Sequence, residues 1–247
     1  MADSETFSGR VALVTGASGG IGAAIAERLA ASGAAVALSY GSDEGAARAL
    51  TERIEAAGGR AMPVGADLRK AQSAARLVDE AEAELGAIDV LVANAGIGRV
   101  QALEEVSVTD FDTTLAVNLR APFLLAQRVT PAMAERGYGR ILFMSSVAAF
   151  TGGIVGPHYA ASKAGLHGLT HYLAARFAGA GITVNALAPA LITDTGMLPG
   201  EPEELRQRIP VGRLGQPGEV ADLALAVLAN GYVTSQVIPV DGGMHPH

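Results

Sequence analysis

Residues 11–29 read VALVTGASGGIGAAIAERL, in which an apolar run, a glycine-rich turn and an alanine-rich segment with helical spacing follow one another. Backbone amides that glycines expose at the start of a helix form a binding site for a pyrophosphate. The glycines are Gly16, Gly20 and Gly22, a spacing that differs from the generic G-x-G-x-x-G fingerprint, so the strand–turn–helix context carries more weight than the glycines themselves. The stretch predicts a dinucleotide site after the first strand of an α/β fold.

The same alternation continues along the chain. Seven short runs rich in Val, Ile and Leu are separated by longer segments, and such runs are typical of parallel strands that helices cover on both faces. We predict one α/β domain over residues 1–247, a Rossmann fold with a seven-stranded, mostly parallel, doubly wound sheet and helices on both faces. The predicted strands are Val11–Thr15, Ala35–Tyr40, Ala61–Val64, Ile88–Ala93, Arg140–Ser145, Ile182–Leu187 and Gln236–Val240, and helices are predicted at Ile21–Ala31, Asp43–Ala57 and Ala71–Leu85.

The alternation stops near the C-terminus. Residues 190–215 contain three prolines and four glycines around a short charged helix candidate, Glu201–Arg208. Long excursions after a strand are where α/β proteins place ligand-handling loops, so we predict a substrate loop at about 190–215, the alternative being a plain surface insertion. Ser42 is predicted to cap the helix that follows the second strand.

Composition excludes several classes of function. The 247 residues have a formal net charge of -7, 4% aromatic residues and no tryptophan, which argues against nucleic acid as a partner. The absence of cysteine excludes disulfides and thiolate metal sites. His167 and His171 are four residues apart, but no H-E-x-x-H pattern or third ligand accompanies them, so no metal site is predicted.

Targeting signals are not evident in the chain. The segment MADSETFSGRVALV has no basic region followed by an apolar stretch, and the longest uncharged runs contain Gly, Asn and Pro. We therefore expect a cytoplasmic protein with no membrane partner.

The end of the second predicted strand bears on the choice of dinucleotide. Residues 38–42 read LSYGS, without the carboxylate that would bind a ribose 2′-hydroxyl of NAD. Asp43 is assigned to the first turn of the next helix. Ser39 and Ser42 could donate to a 2′-phosphate, although the arginine expected beside such a phosphate is missing. We predict NADP(H) in preference to NAD(H).

Tyr159 and Lys163, in the stretch YAASK, are four residues apart and would share a face of a helix. A phenol that protonates a developing alkoxide needs a lower pKa than its usual value near 10, and a neighbouring ammonium lowers it. Only two of the 18 basic residues are lysines, which favours a specific use of Lys163. The alternative is an exposed helix pair of no function.

Taken together, these residues are similar to a known family. The chain resembles the short-chain dehydrogenase/reductases along nearly its whole length, and most of all the bacterial 3-oxoacyl-[acyl-carrier-protein] reductases, through GRILFMSSVAA, GITVNALAP and VDGGM. The motifs, in chain order, are Thr15–Gly22, Asn94–Gly96, Val117–Leu119, Ser145-Ser146, Tyr159–Lys163 and Pro189.

The resemblance implies a catalytic tetrad of Asn118, Ser146, Tyr159 and Lys163. In this reading, Ser146 holds the substrate oxygen beside the phenol, and Asn118 binds a water that links Lys163 to solvent. The cofactor-binding residues that the turn and the resemblance together suggest are Gly16, Ser18, Gly19, Gly20, Ile21, Gly22, Ser39, Tyr40, Ser42, Asp67, Leu68, Asn94, Ala95, Gly96, Tyr159, Lys163, Pro189, Ile192 and Thr193, with Thr195 as the alternative to Thr193.

The resemblance also implies a function and an assembly. It implies an NADP(H)-dependent 3-oxoacyl thioester reductase of fatty acid biosynthesis and a homotetramer, or else a dimer, packed through residues 115–133. However, Ala180 and Pro131 stand where carrier-protein reductases often have basic residues. A reductase or dehydrogenase of a small ketone, sugar or polyketide-like alcohol is therefore the alternative, followed by a non-catalytic dinucleotide sensor.

Overall fold

The computed structural model of the protein describes residues 6–196, 198 and 202–245. Seven strands form one sheet in the order β3-β2-β1-β4-β5-β6-β7, and each neighbouring pair is parallel. The predicted doubly wound sheet is thus confirmed, without an antiparallel strand in the described residues. The strands are β1 Val11–Thr15, β2 Ala35–Tyr40, β3 Arg60–Gly65, β4 Val90–Ala93, β5 Gly139–Met144, β6 Ile182–Pro189 and β7 Val237–Val240.

Helices cover both faces of the sheet and bury two separate apolar clusters. The first cluster packs α3, α5 and α7 on one face, and the second packs α1, α2 and α9 on the other. None of the helices in the described part of the chain is both long and apolar enough to cross a membrane. The helices are α1 Gly20–Ala31, α2 Glu44–Ala56, α3 Gln72–Leu85, α4 Val108–Leu115, α5 Ala121–Glu135, α6 Ala148–Thr151, α7 Pro157–Phe177, α8 Pro202–Arg206 and α9 Pro217–Ala229.

The strand order places the candidate site. The chain winds outward from β1 to β3 and then returns to add β4 on the other side of β1. Where the order reverses, the connections after β1 and β4 leave in opposite directions and open a crevice at the carboxyl ends of the strands. The loops after β5 and β6 reach the same edge, so the motifs predicted from the sequence are brought together there.

Two local predictions differ from the structure. The N-cap of α2 is Asp43, whose carboxylate accepts the Ala46 N–H at 2.9 Å, whereas the predicted cap, Ser42, lies one residue too early. Strand β4 begins at Val90 because the Ile88 N–H is bound by the Glu82 carboxylate instead of a neighbouring strand. The short charged helix is found as α8, with Glu201 outside the described residues.

One helical junction was not expected from the sequence. A π-helical turn, Ala116–Arg120, joins α4 to α5 and contains Asn118. Such turns insert an extra residue into a helix and are frequent at functional sites.

Candidate active site

A cavity of about 710 Å³ opens at the carboxyl edge of the sheet. It draws its lining from the loops after β1, β4, β5 and β6, from α7, and from the segment between β6 and α9. The predicted site residues on its walls are Gly16, Ser18, Gly19, Gly20, Ile21, Asn94, Ala95, Gly96, Ser146, Tyr159, Lys163, Pro189 and Ile192.

The glycine-rich turn is built so tightly that side chains do not fit at two of its positions. A Cβ on Gly22 would lie 2.2 Å from the Gly16 carbonyl oxygen, and Gly16 has a φ of 64°, which favours glycine. The first turn of α1 carries no acidic residue, and its N-cap, Gly19, has no side chain to bind the free amides. The amides at this helix start thus fit a dinucleotide pyrophosphate.

Hydrogen bonds join the loop after β4 to the glycine-rich turn. The Thr15 hydroxyl accepts the backbone N–H groups of Asn94 at 3.1 Å and Ala95 at 3.0 Å. The Asn94 amide group donates in return to the carbonyls of Thr15 at 3.0 Å and Gly16 at 3.1 Å. Asn94 therefore shapes the floor of the cavity from behind, in addition to lining it.

Lys163 is a buried cation aimed at the centre of the site. It is 3% exposed, and its ammonium donates to the Met144 carbonyl at 2.8 Å, so other N–H groups remain for further partners. Burial lowers the pKa of Lys163 to about 8, because the charged form loses its hydration. The ammonium lies 5.7 Å from the centre of the Tyr159 ring.

Tyr159 differs from the prediction in its acidity. Burial raises the pKa of the Tyr159 phenol, and the interaction with the Ser146 hydroxyl only opposes this shift. The sequence argument expected Lys163 to lower that pKa. The difference arises because both groups are buried, and loss of hydration disfavours the phenolate as well as the ammonium.

The two serines after β5 have different hydrogen-bond partners. The Ser145 hydroxyl is buried, where it bonds the Lys163 carbonyl at 3.1 Å and His167 Nε2 at 2.8 Å. The Ser146 hydroxyl faces the phenol of Tyr159 and accepts the Ala148 N–H at 3.2 Å. Ser146 is therefore the serine whose hydroxyl lies beside the phenol, and its role in holding a substrate oxygen stays a prediction from the resemblance.

The Asn118 side chain anchors a loop. Its amide oxygen accepts the Ile97 N–H and its amide nitrogen donates to the Ile97 carbonyl, both at 2.8 Å, and the nitrogen also reaches Ser162 at 3.1 Å. The Asn118 side chain thus holds the loop after β4 through Ile97, and the water that the resemblance implies for Asn118 stays a prediction.

Gly98 was missed by sequence reasoning. A Cβ at Gly98 would lie 2.9 Å from the Tyr159 ring, so the loop after β4 packs directly against this ring. The available signal was its position two residues after Gly96, in a stretch already assigned to the site.

The residues that line the cavity near α2 differ from those predicted to contact the adenosine of the cofactor. Of the residues expected there, the described Ser39, Tyr40 and Ser42 do not line the cavity, whereas Asp43 does. Ser39 is buried inside β2, so its hydroxyl cannot reach a ligand. Arg48, a cation that the sequence reading overlooked, interacts electrostatically with Tyr40 and is paired with Glu44.

Asp67 and Leu68, which the resemblance assigned to the cofactor site, lie away from the cavity walls. Asp67 is held by Arg69 at 2.8 Å, and this hydrogen bond lowers the pKa of the Asp67 carboxyl. Leu68 is buried in the core beneath it. The structure thus does not bring Asp67 and Leu68 to the lining, although they follow β3 on the same edge of the sheet.

The two threonines considered after β6 differ in position. Thr195 lines the cavity and its hydroxyl donates to the Ile192 carbonyl at 3.0 Å. Thr193, the preferred choice from the sequence, is not among the lining residues, and its backbone N–H pairs with the Gly215 carbonyl at 2.9 Å.

The histidines of α7 have separate partners. His167 bonds Ser145, and His171 bonds the Ser235 hydroxyl at 3.0 Å. Burial lowers the pKa of His167, with a smaller contribution from His171. Within the described ranges, no group of three or more His, Asp or Glu side chains is arranged to hold a metal ion.

Known proteins share this sequence pattern. A family model described as short chain dehydrogenase matches residues 10–205. The chain is 39% identical to 3-oxoacyl-[acyl-carrier-protein] reductase FabG of Aquifex aeolicus (strain VF5), over 96% of this chain and 98% of the relative. It is 41% identical to cis-4-hydroxycyclohexanecarboxylate dehydrogenase of Sinomonas cyclohexanicum, over 97% of this chain and 98% of the relative.

One solved structure is similar to this chain in fold as well as in sequence. The blue fluorescent protein from a metagenomic library, crystallised in complex with NADPH, superposes with a TM-score of 0.92 at 39% identity, covering 98% of this chain and all of that chain. The family match, the two relatives and the shared fold lead to one conclusion: the protein belongs to the short-chain dehydrogenase/reductase family of oxidoreductases.

Proposed function

We propose that the protein is an NADP(H)-dependent carbonyl reductase whose substrate is a 3-oxoacyl thioester. The observation that carries the proposal is that Ser146, Tyr159 and Lys163 line the same cavity as the glycine-rich turn. The relative from Aquifex aeolicus bears the name of a 3-oxoacyl reductase, which supports the thioester as substrate class.

The catalytic cycle follows from the positions of these side chains. A bound reduced nicotinamide supplies the hydride that the carbonyl carbon accepts. Ser146 and the Tyr159 phenol hold the carbonyl oxygen, and the phenol donates its proton as negative charge develops there. Lys163 stabilises the phenolate left behind and binds the cofactor ribose with its free N–H groups. The cofactor is held by the amides of residues 16–22 and by the loop 94–96.

The preference for NADP(H) is also a proposal. The Asp43 carboxylate at the outer end accepts the Ala46 N–H and points toward its own helix, which limits its repulsion of a 2′-phosphate. The NADPH complex of the similar blue fluorescent protein supports this preference.

The central test is NADPH oxidation with acetoacetyl-CoA by Tyr159→Phe. We expect turnover to fall by a factor of about 10² to 10⁴, the usual contribution of a positioned general acid. Tyr172→Phe is the matched control, because Tyr172 lies on the same helix but is 67% exposed and away from the cavity lining. Retention of most activity in Tyr159→Phe would contradict the proposed proton transfer.

A second candidate function has its own support. The relative from Sinomonas cyclohexanicum is named as the dehydrogenase of a small hydroxy acid. Ala180 and Pro131 also leave this acidic chain without the basic positions that would attract an acidic carrier protein. Turnover measured side by side on a carrier-bound thioester, a CoA thioester and a cyclic ketone separates the two candidates, with NADH and NADPH compared on each.

Assembly and location complete the proposal. We propose a homotetramer, built partly through the face of residues 115–133, where Phe123 is an exposed apolar side chain beside Leu119. A monomer in sedimentation at micromolar concentration would contradict it. A cytoplasmic role in fatty acid biosynthesis accompanies the thioester substrate.

A further inference from the structure

Arg208 has an unusual environment for an arginine of this protein. At the described positions, the only arginine side chains without a hydrogen bond or ion pair are those of Arg99, Arg176 and Arg208, and Arg99 interacts electrostatically with Asp110. By contrast, nearby Arg206 pairs with Glu203 at 3.1 Å and Arg213 with Glu219 at 2.6 Å. Of the two arginines that are left, only Arg208 lines the cavity.

Arg208 lies beside the C-terminal segment of the described chain. The residues that follow it, Ile209 and Val211, contact the C-terminal segment at Gly242, where the Val211 N–H donates to the Gly242 carbonyl at 3.1 Å. That segment continues to Met244, which also lines the cavity, and to His245, whose ring stacks on Phe150 of α6. Arg208 thus lines the cavity next to the C-terminal segment that carries Met244.

Charge is divided between the two ends of the cavity. Its carboxylates are Asp43, at the start of α2, and Asp194, whose carbonyl oxygen lies 3.0 Å from where a Cβ of Gly20 would be. Both belong to the cofactor end. The other lining cation, Lys163, is buried and bound to the Met144 carbonyl. Among the described lining residues, Arg208 is therefore the exposed cation, in a chain whose net charge of -7 repels anions.

We infer that Arg208 binds an anionic group, a phosphate or a carboxylate, on the part of the substrate that remains at the cavity mouth. A guanidinium binds either group through two parallel N–H bonds, and no side chain of the described protein competes for it. The enzyme then selects charged carbonyl substrates over uncharged ones. This inference rests on the proposed carbonyl reductase function and names the substrate class of the same site.

The test compares one acyl group on carriers of different charge. Acetoacetyl-CoA carries phosphates, acetoacetyl-N-acetylcysteamine is uncharged, and acetoacetate carries a carboxylate. For Arg208→Gln we expect KM for at least one anionic substrate to rise about 5-fold, the scale of an exposed ion pair, with kcat unchanged and KM for the uncharged thioester unchanged. Which anion responds distinguishes a phosphate-bearing carrier from a free oxo acid.

Two variants control the comparison. Arg208→Lys keeps the positive charge but loses the paired N–H donors of the guanidinium, so its affinity for the anionic substrate should lie between those of wild type and Arg208→Gln. Arg176→Gln removes an equally unpartnered arginine that lies outside the cavity lining, and should leave every KM unchanged. In the wild-type enzyme, added salt should raise KM for the responding anion and should have less effect in Arg208→Gln.

The outcomes separate the two proposals. Equal changes of KM for charged and uncharged substrates, or no change for any of them, would overturn the role of Arg208 and leave the reductase function standing. An enzyme that reduces none of the three substrates would overturn both. A change confined to the anionic substrates supports both.

Discussion

The floor and the rim of the cavity are built in different ways. We define the floor as residues 16–22 and 94–98 with Tyr159 and Lys163, and the rim as Ile154, Leu205, Arg208 and Met244. On the floor, Gly22 sits so close to the Gly16 carbonyl that no side chain fits, and Lys163 is held by a backbone carbonyl. On the rim, Ile154 is 49% exposed and the Arg208 guanidinium has no partner in the described chain.

This difference indicates which residues determine the reaction and which determine the choice of substrate. On the floor, Gly22, Asn94 and Lys163 are each held by close contacts or hydrogen bonds, so their replacement disturbs the reaction or the fold. Leu205 on the rim is buried, but Ile154 and Arg208 are exposed and have few constraints, so these two can change with little structural cost and can adapt to a substrate. Substitutions should therefore fall into two groups, and the size of their effects can test the division.

Lys163→Met should give the largest effect on activity. It removes the cation that stabilises the Tyr159 phenolate, and we expect kcat to fall by a factor of about 10³. The protein should at the same time become more stable at pH 7, by up to about 3 kcal/mol, because the ammonium is buried at a cost that its lowered pKa of about 8 reflects. Urea unfolding and steady-state kinetics measure the two effects.

The pH dependence gives a further check on the same variant. Between about pH 8 and the ordinary lysine pKa of 10.5, the unfolded wild-type chain binds more protons at Lys163 than the folded one, so wild-type stability rises with pH. The advantage of Lys163→Met should shrink across this window. Lys70→Met, at the exposed second lysine, is the matched control, and an equal gain there would contradict the explanation.

Gly22→Ala should give the next effect, this time on the fold. A Cβ 2.2 Å from the Gly16 carbonyl forces the turn open, and we expect a loss of about 2–4 kcal/mol in the free energy of unfolding together with weaker NADPH binding. Gly19→Ala is the control, because Gly19 has an extended backbone with φ of -174° and no atom within 4 Å of its Cβ position. Comparable destabilisation in both variants would refute the close-contact argument.

The contrast between floor and rim also explains what the sequence could predict. The strands and the Tyr159–Lys163 pair were predictable because periodicity and i, i+4 spacing are local properties. The roles of Asn118 and Gly98 depend on contacts with Ile97 and with the Tyr159 ring, which only the folded chain brings together.

The errors at the cofactor end and the loop have a similar cause. Ser39 was placed in the site because strand ends face the crevice, but alternation along β2 turns its side chain into the sheet interior. Thr193 and Thr195 are two residues apart in a loop with no periodicity, so the sequence could not indicate that Thr195 rather than Thr193 lines the cavity.

Gly98→Ala should give an intermediate effect, on catalysis more than on stability. The added Cβ would lie 2.9 Å from the Tyr159 ring and displace the phenol from the substrate oxygen. We expect kcat to fall about 10-fold, since small errors in position are costly for a catalytic group, with NADPH affinity little changed. Gly168→Ala on the same helix as Tyr159, where a Cβ meets no atom within 4 Å, is the control. A fall in NADPH affinity as large as that in kcat would point to distortion of the whole loop.

Ile154→Ala on the rim should give the smallest effect. Because about half of this side chain is already in solvent, the variant loses little burial, and we expect the melting temperature to stay within about 1 °C of wild type. A substrate chain that packs on Ile154 loses part of an apolar contact, so KM for a long-chain 3-oxoacyl thioester should rise about 2- to 4-fold while KM for acetoacetyl-CoA stays constant. Val108→Ala, exposed and outside the cavity lining, should change neither quantity. A drop in kcat for the short substrate would mean that the rim also positions the reacting carbonyl, and the division between floor and rim would then be wrong.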